Sequence, residues 1–83
     1  MQETQVLKRK LAWQCRRGML EIDMMLQPFL ANGFEALSAE EQKTFVRLLE
    51  ETDQDLFIWL LGGEEPTDPE LATLVKKIRE FPR

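Results

Sequence analysis

At 83 residues the chain has room for one domain with one small core, and its 43% hydrophobic and 31% charged residues belong to a folded globular protein, not a disordered tail. Histidine and tyrosine are absent and cysteine occurs once, which excludes Ser–His, Cys–His and His–metal chemistry, an internal disulfide and a thiolate metal cage. The formal charge of −4 is segregated: residues 1–17 hold five basic residues against Glu3 alone, a net of +4, and the rest holds six basic and fourteen acidic residues, a net of −8.

Val6, Leu7, Leu11 and Cys15 recur at three- and four-residue spacing and predict an amphipathic first helix from Glu3 to about Arg16. Arg16 and Arg17 suit its C-terminus, and Gly18 the left-handed residue that ends it. Glu21 and Asp23 open a second helix whose buried side is read as Leu20, Met24, Met25 and Leu26, with Pro28 ending or kinking it near Leu26. Phe29, Leu30 and Phe34 then pass through a turn marked by Asn32 and Gly33.

Ser38 with Glu41 three residues on is a capping box for a third helix, with Phe45, Val46, Leu48 and Leu49 on its apolar face. Asp53 is read as the N-cap of a fourth. Spacing places Leu56, Leu60 and Leu61 of that helix in the core. One of Phe57 and Trp59 is allowed to lie outside it, although core placement is favoured because a small bundle needs bulk; an exposed Trp59 would mark a second contact patch. Gly62-Gly63 stops it, and Asp68-Pro69 opens a fifth along Leu71, Leu74, Val75 and Ile78. Nothing alternates with a period of two. The expectation is an all-α, compact bundle of about five short helices, one domain over residues 1–83.

Few residues invite chemistry. Asp53 and Asp55 resemble the start of a calcium loop, but the sixth position is Ile58 where glycine is required. Neighbouring carboxylates such as Glu40/Glu41 or Glu50/Glu51 have no burial to tune them. Cys15 lies in the apolar stripe and reads as a small core residue. Gly62-Gly63 lacks the spacing and lysine of a phosphate loop. No catalytic or metal site is expected, and five clustered basic residues on an acidic chain argue against nucleic acid. The longest hydrophobic run, Leu56 to Leu61, is far short of the roughly 20 residues a membrane span needs, and no signal-like segment opens the chain, so a cytoplasmic location is expected.

Arg16-Arg17-Gly18-Met19-Leu20-Glu21-Ile22-Asp23 admits two readings. Caps and helix dipoles account for every charge. Alternatively the chain stays helical, which sets Arg17 and Glu21 on one face about a side-chain-free Gly18, where a backbone or planar ligand can approach between a donor fork and an acceptor.

Arg17-Gly18-x-x-Glu21 resembles the RGxxE signature of the succinate dehydrogenase flavinylation factors, the SdhE family. Trp13 and Cys15 before the double arginine, Asp23 and Pro28-Phe29 after it, and the later blocks Phe45-x-Arg47-Leu48-Leu49-Glu50 and Asp53-x-Asp55-Leu56-Phe57-x-Trp59-Leu60 extend the similarity over nearly the whole chain. The resemblance implies a five-helix assembly factor, not an enzyme. Such a factor binds the flavoprotein subunit of succinate dehydrogenase, and in some bacteria that of fumarate reductase, and promotes covalent attachment of FAD to a histidine of that subunit. FAD is then handled on the partner and not held stably here; any cofactor-binding residue of this chain is unknown. The partner-binding residues implied are Arg17, Gly18 and Glu21, with Arg16, Asp23 and Lys10 beside them. Members have also been described as antitoxins of a small membrane-associated toxin, and that reading stays open.

Overall fold

The computed structural model describes residues 2–82, with side-chain surroundings from residue 6 onward. Five helices follow in order: α1 (Gln2–Cys15), α2 (Leu20–Asn32), α3 (Ala39–Leu48), α4 (Asp53–Leu60) and α5 (Pro69–Glu80), with a single 3₁₀ turn, Phe34–Ala36, between α2 and α3. No strand occurs among the described residues, as the absence of two-residue alternation predicts.

The local rules hold where the signals are local. The Ser38 hydroxyl accepts from the Glu41 N–H and the Glu41 carboxylate accepts from the Ser38 N–H, both at 3.1 Å, a reciprocal cap that contributes about 1 kcal/mol. Asp68 accepts from the Glu70 and Leu71 N–H groups at 2.8 and 3.2 Å, with Pro69 in the first helical turn.

α2 lies at the centre, against α1, α4, α5 and the 3₁₀ turn, while α5 also receives α3 and α4. It presents Ile22, Leu26 and Phe29 to a core completed by Leu11, Phe34, Phe45, Leu48, Leu56 and Ile78. Phe45 is the hub of an aromatic cluster, with ring centroids 5.8 Å from Phe29 and 5.5 Å from Phe34. Phe81, beyond α5, meets Phe29 edge-on at 5.2 Å. Each such pair contributes about 0.5–1.5 kcal/mol beyond its burial.

Three sequence readings need correction. Pro28 does not end α2, which runs through it to Asn32. A proline there forfeits one helical hydrogen bond and costs about 3 kcal/mol. Burial of Phe29 and Leu30 just beyond offsets that, and the Gly33 N–H donates to the Phe29 carbonyl at 2.7 Å to close the end. The N-cap of α4 is Thr52, whose hydroxyl accepts from the Asp55 N–H at 3.1 Å; Asp53 is the first helical residue, its carboxylate turned to another use. Leu20 and Met24 are exposed, not buried, and so are Val6 and Leu61. Of the two aromatics on α4, one of which the sequence allowed outside the core, Trp59 packs against it and Phe57 is at the surface.

Between α3 and α5, Arg47 donates to Asp68 at 2.6 Å and to Glu70 at 3.0 Å, and Lys77 pairs with Glu41. The Arg47 hydrogen bond, followed by the Leu71 N–H, holds the Asp68 carboxyl below its ordinary value. The Lys77 hydrogen bond, followed by the Ser38 backbone, does the same for Glu41. A carboxyl depressed in the folded state stabilises the fold above its unfolded pKa, and that stabilisation is lost as pH falls through the folded value. The urea midpoint is therefore expected to hold near neutrality and fall below about pH 4. The dependence should be weaker in Lys77→Met, by a small margin because these groups are solvent-screened.

Candidate functional site

The junction between α1 and α2 is built by one glycine and one aspartate. After Cys15 the Arg16 N–H bonds back to the Trp13 carbonyl at 3.2 Å, and Gly18 adopts φ +77°, in the left-handed region. That ends α1 and removes the continuous-helix reading of this segment. The N-cap of α2, Met19, provides no side-chain cap. The Asp23 carboxylate instead accepts from the Arg17 N–H at 2.9 Å, closing the connector onto the first turn of α2, where negative charge is favoured.

Arg17 consequently points inward. Its Nη1 donates to the Glu51 carbonyl at 3.3 Å and to the Asp53 carboxylate at 3.2 Å, and its Nη2 donates to the Leu49 carbonyl. Leu49 is the C-cap of α3, so the guanidinium sits against the negative end of that helix and fastens the α3–α4 turn. The side chain is only 16% exposed, and its Nε is buried with no partner among the described residues. Arg17 and Glu21 do not flank Gly18 as a charged pair.

What faces outward is different. A Cβ built on Gly18 meets nothing within 4 Å, so the backbone there is bare and open. Arg16, Glu21 and Lys10 are exposed on the connector and the two helices it joins, and so are three large apolar side chains: Trp13 at 78%, Leu20 at 72% and Met24 at 57%. Lys10 and Trp13 share a face of α1, and Leu20 and Met24, four apart, share one of α2. Of the six residues singled out from sequence, Lys10, Arg16, Gly18 and Glu21 thus lie at the surface; Arg17 and Asp23 hold the junction in shape. Sequence reasoning left out Leu20 and Met24 by assigning them to the core. The available signal was that Ile22, Leu26 and Phe29 already supply a full buried stripe, which leaves a second apolar stripe for something else.

Cys15, directly beneath, is fully buried. Desolvation pushes its thiol up to about 12, with the Arg17 guanidinium opposing and Asp23 adding to the rise. At neutral pH it is an inert thiol. No group of three or more metal-ligating side chains is found among the described residues, and no helix is long and apolar enough to cross a membrane.

Fold and site together define a small all-α bundle that presents bare backbone where its first two helices meet, with apolar and charged side chains exposed on both of those helices. The model of the family described as flavinator of succinate dehydrogenase matches residues 9–82, and the chain belongs to that family. It is 49% identical over 70 residues to the FAD assembly factor SdhE of Shewanella oneidensis, covering 84% of this chain and 85% of that one. It is 46% identical over 72 residues to that of Yersinia pseudotuberculosis, covering 87% and 82%, and 47% identical over 72 residues to that of Legionella pneumophila, covering 87% and 90%.

Proposed function

We propose that this protein binds the flavoprotein subunit of succinate dehydrogenase through the α1–α2 junction and promotes covalent attachment of FAD to it. The observation that carries this is the open, side-chain-free backbone at Gly18 beside exposed Trp13, Leu20 and Met24. Such a surface lets another backbone approach closely while burying apolar area. The chain holds no histidine and its one thiol is buried, so this protein contributes no reacting group and the flavin acceptor belongs to the partner, where the family resemblance implies a histidine. Docking acts by selecting a partner conformer in which acceptor and flavin are aligned, which accelerates attachment without catalysis in trans. FAD stays on the partner throughout, the reaction takes place in the cytoplasm, and the related flavoprotein subunit of fumarate reductase is a second client.

The test is deletion of the protein from its cell, followed by in-gel flavin fluorescence of the denatured succinate dehydrogenase subunit. The covalent signal is expected to fall about tenfold or more and to return on re-expression. Unchanged fluorescence in the deletion strain overturns the reading.

A further inference from the structure

A second feature lies where α1 meets α2. A groove of about 380 Å³ runs between α1 and α2, lined by Arg9, Ala12 and Arg16 on one side and by Gln27, Leu30 and Ala31 on the other. Ala12 and Ala31 are short, and that is what leaves a channel where the two helices otherwise pack. Lys8, also at this groove, is already engaged by the Ala31 carbonyl and Glu35. Arg9 and Arg16 are exposed and meet no carboxylate among the described residues. Arg9 lies within α1 and Arg16 just beyond its last residue, Cys15.

We propose that this groove seats an acidic segment of the flavoprotein partner, with one carboxylate on Arg9, another on Arg16 and an apolar side chain against Ala12 and Leu30. The inference rests on the proposed docking to that subunit, and Arg16 makes the groove continuous with the Gly18 surface. Charge selects the occupant. Beyond residue 17 the chain is net −8, so an extended polyanion such as a nucleic acid or an anionic bilayer is repelled by most of the molecule. A short acidic helix or strand meets only the basic flank. Two cations beside an apolar floor suit a short amphipathic segment that carries acidic residues next to an apolar one.

The experiment measures the affinity of the purified flavoprotein subunit for the full chain at low and high salt, with variants Arg9→Glu, Arg9→Gln, Ala31→Gln and Gly18→Arg. Arg9 and Ala31 are exposed, so these changes leave the helical circular dichroism intact. Arg9→Glu and Ala31→Gln are each expected to weaken binding about tenfold, Arg9→Gln by less, and the salt dependence of the wild type should flatten in both Arg9 variants. If Gly18→Arg weakens binding while the groove variants bind as the wild type does, the groove assignment is wrong and the docking reading survives. If the wild type does not bind the subunit, both fall. If Arg9→Glu instead weakens binding of FAD alone and leaves subunit affinity unchanged, the groove is an anionic-cofactor site and the acidic-segment assignment is overturned.

Discussion

Arg17→Ala is expected to unfold about 10 °C or more below the wild type, and its loss of flavinylation should follow that loss of structure. The guanidinium serves two backbone carbonyls and one carboxylate around the α3–α4 turn, residues more than thirty positions away in sequence. Removing a largely buried charged donor leaves the Leu49 and Glu51 carbonyls without it and Asp53 without its counter-ion, a cost of about 2–3 kcal/mol. For a chain of this size that is a large fraction of total stability, and each kcal/mol moves the midpoint by about 4–8 °C. Arg17→Lys should recover only part, because an ammonium cannot span three acceptors as a planar fork does. Thermal unfolding and docking to the flavoprotein are measured on the same variants. Arg17→Ala with unchanged thermal stability but abolished docking would assign the side chain to the partner and refute the inward role.

That inward role was beyond sequence reading, for an identifiable reason. The spacing of Arg17 and Glu21 places two side chains on one face only if the intervening backbone is helical, and a single dihedral at Gly18 decides whether it is. Two of the three acceptors of Arg17 are carbonyls, which no residue letter reveals, and all three arrive from the α3–α4 turn. Where cause and effect sit within four residues, as at Ser38/Glu41 and Asp68-Pro69, the letters sufficed. They misled where two local signals competed: Thr52 and Asp53 both suit an N-cap, and geometry chose the hydroxyl. Pro28 is a breaker by local rules but is overruled by burial of Phe29 and Leu30. Leu20 and Met24 expose a different limit. Apolar periodicity reports a face that leaves water, and a partner removes water as effectively as a core does. The family resemblance implied Arg17 among the partner-binding residues, and the inward path of its side chain onto Leu49, Glu51 and Asp53 is what that resemblance could not convey.

Gly18→Arg is expected to keep the helical content while reducing flavinylation by well over tenfold, and a graded series separates the two properties of this glycine. A left-handed φ costs a residue with a Cβ about 1–2 kcal/mol, a strain the bundle survives. The space outside is empty, so any added side chain projects away from the core into the path of the partner. Alanine is small but ill suited to this conformation; asparagine is larger yet tolerates it better. If bare backbone is what the partner needs, flavinylation falls in the order Gly, Ala, Asn, Arg, while thermal stability puts Asn above Ala. If conformation alone matters, Asn outperforms Ala in both measurements. The two orders diverge at a single comparison, Gly18→Ala against Gly18→Asn. Quantitative in-gel flavin fluorescence alongside thermal melts therefore decides between a contact surface and a hinge: activity in Gly18→Asn at or above that of Gly18→Ala rules out close approach at this backbone.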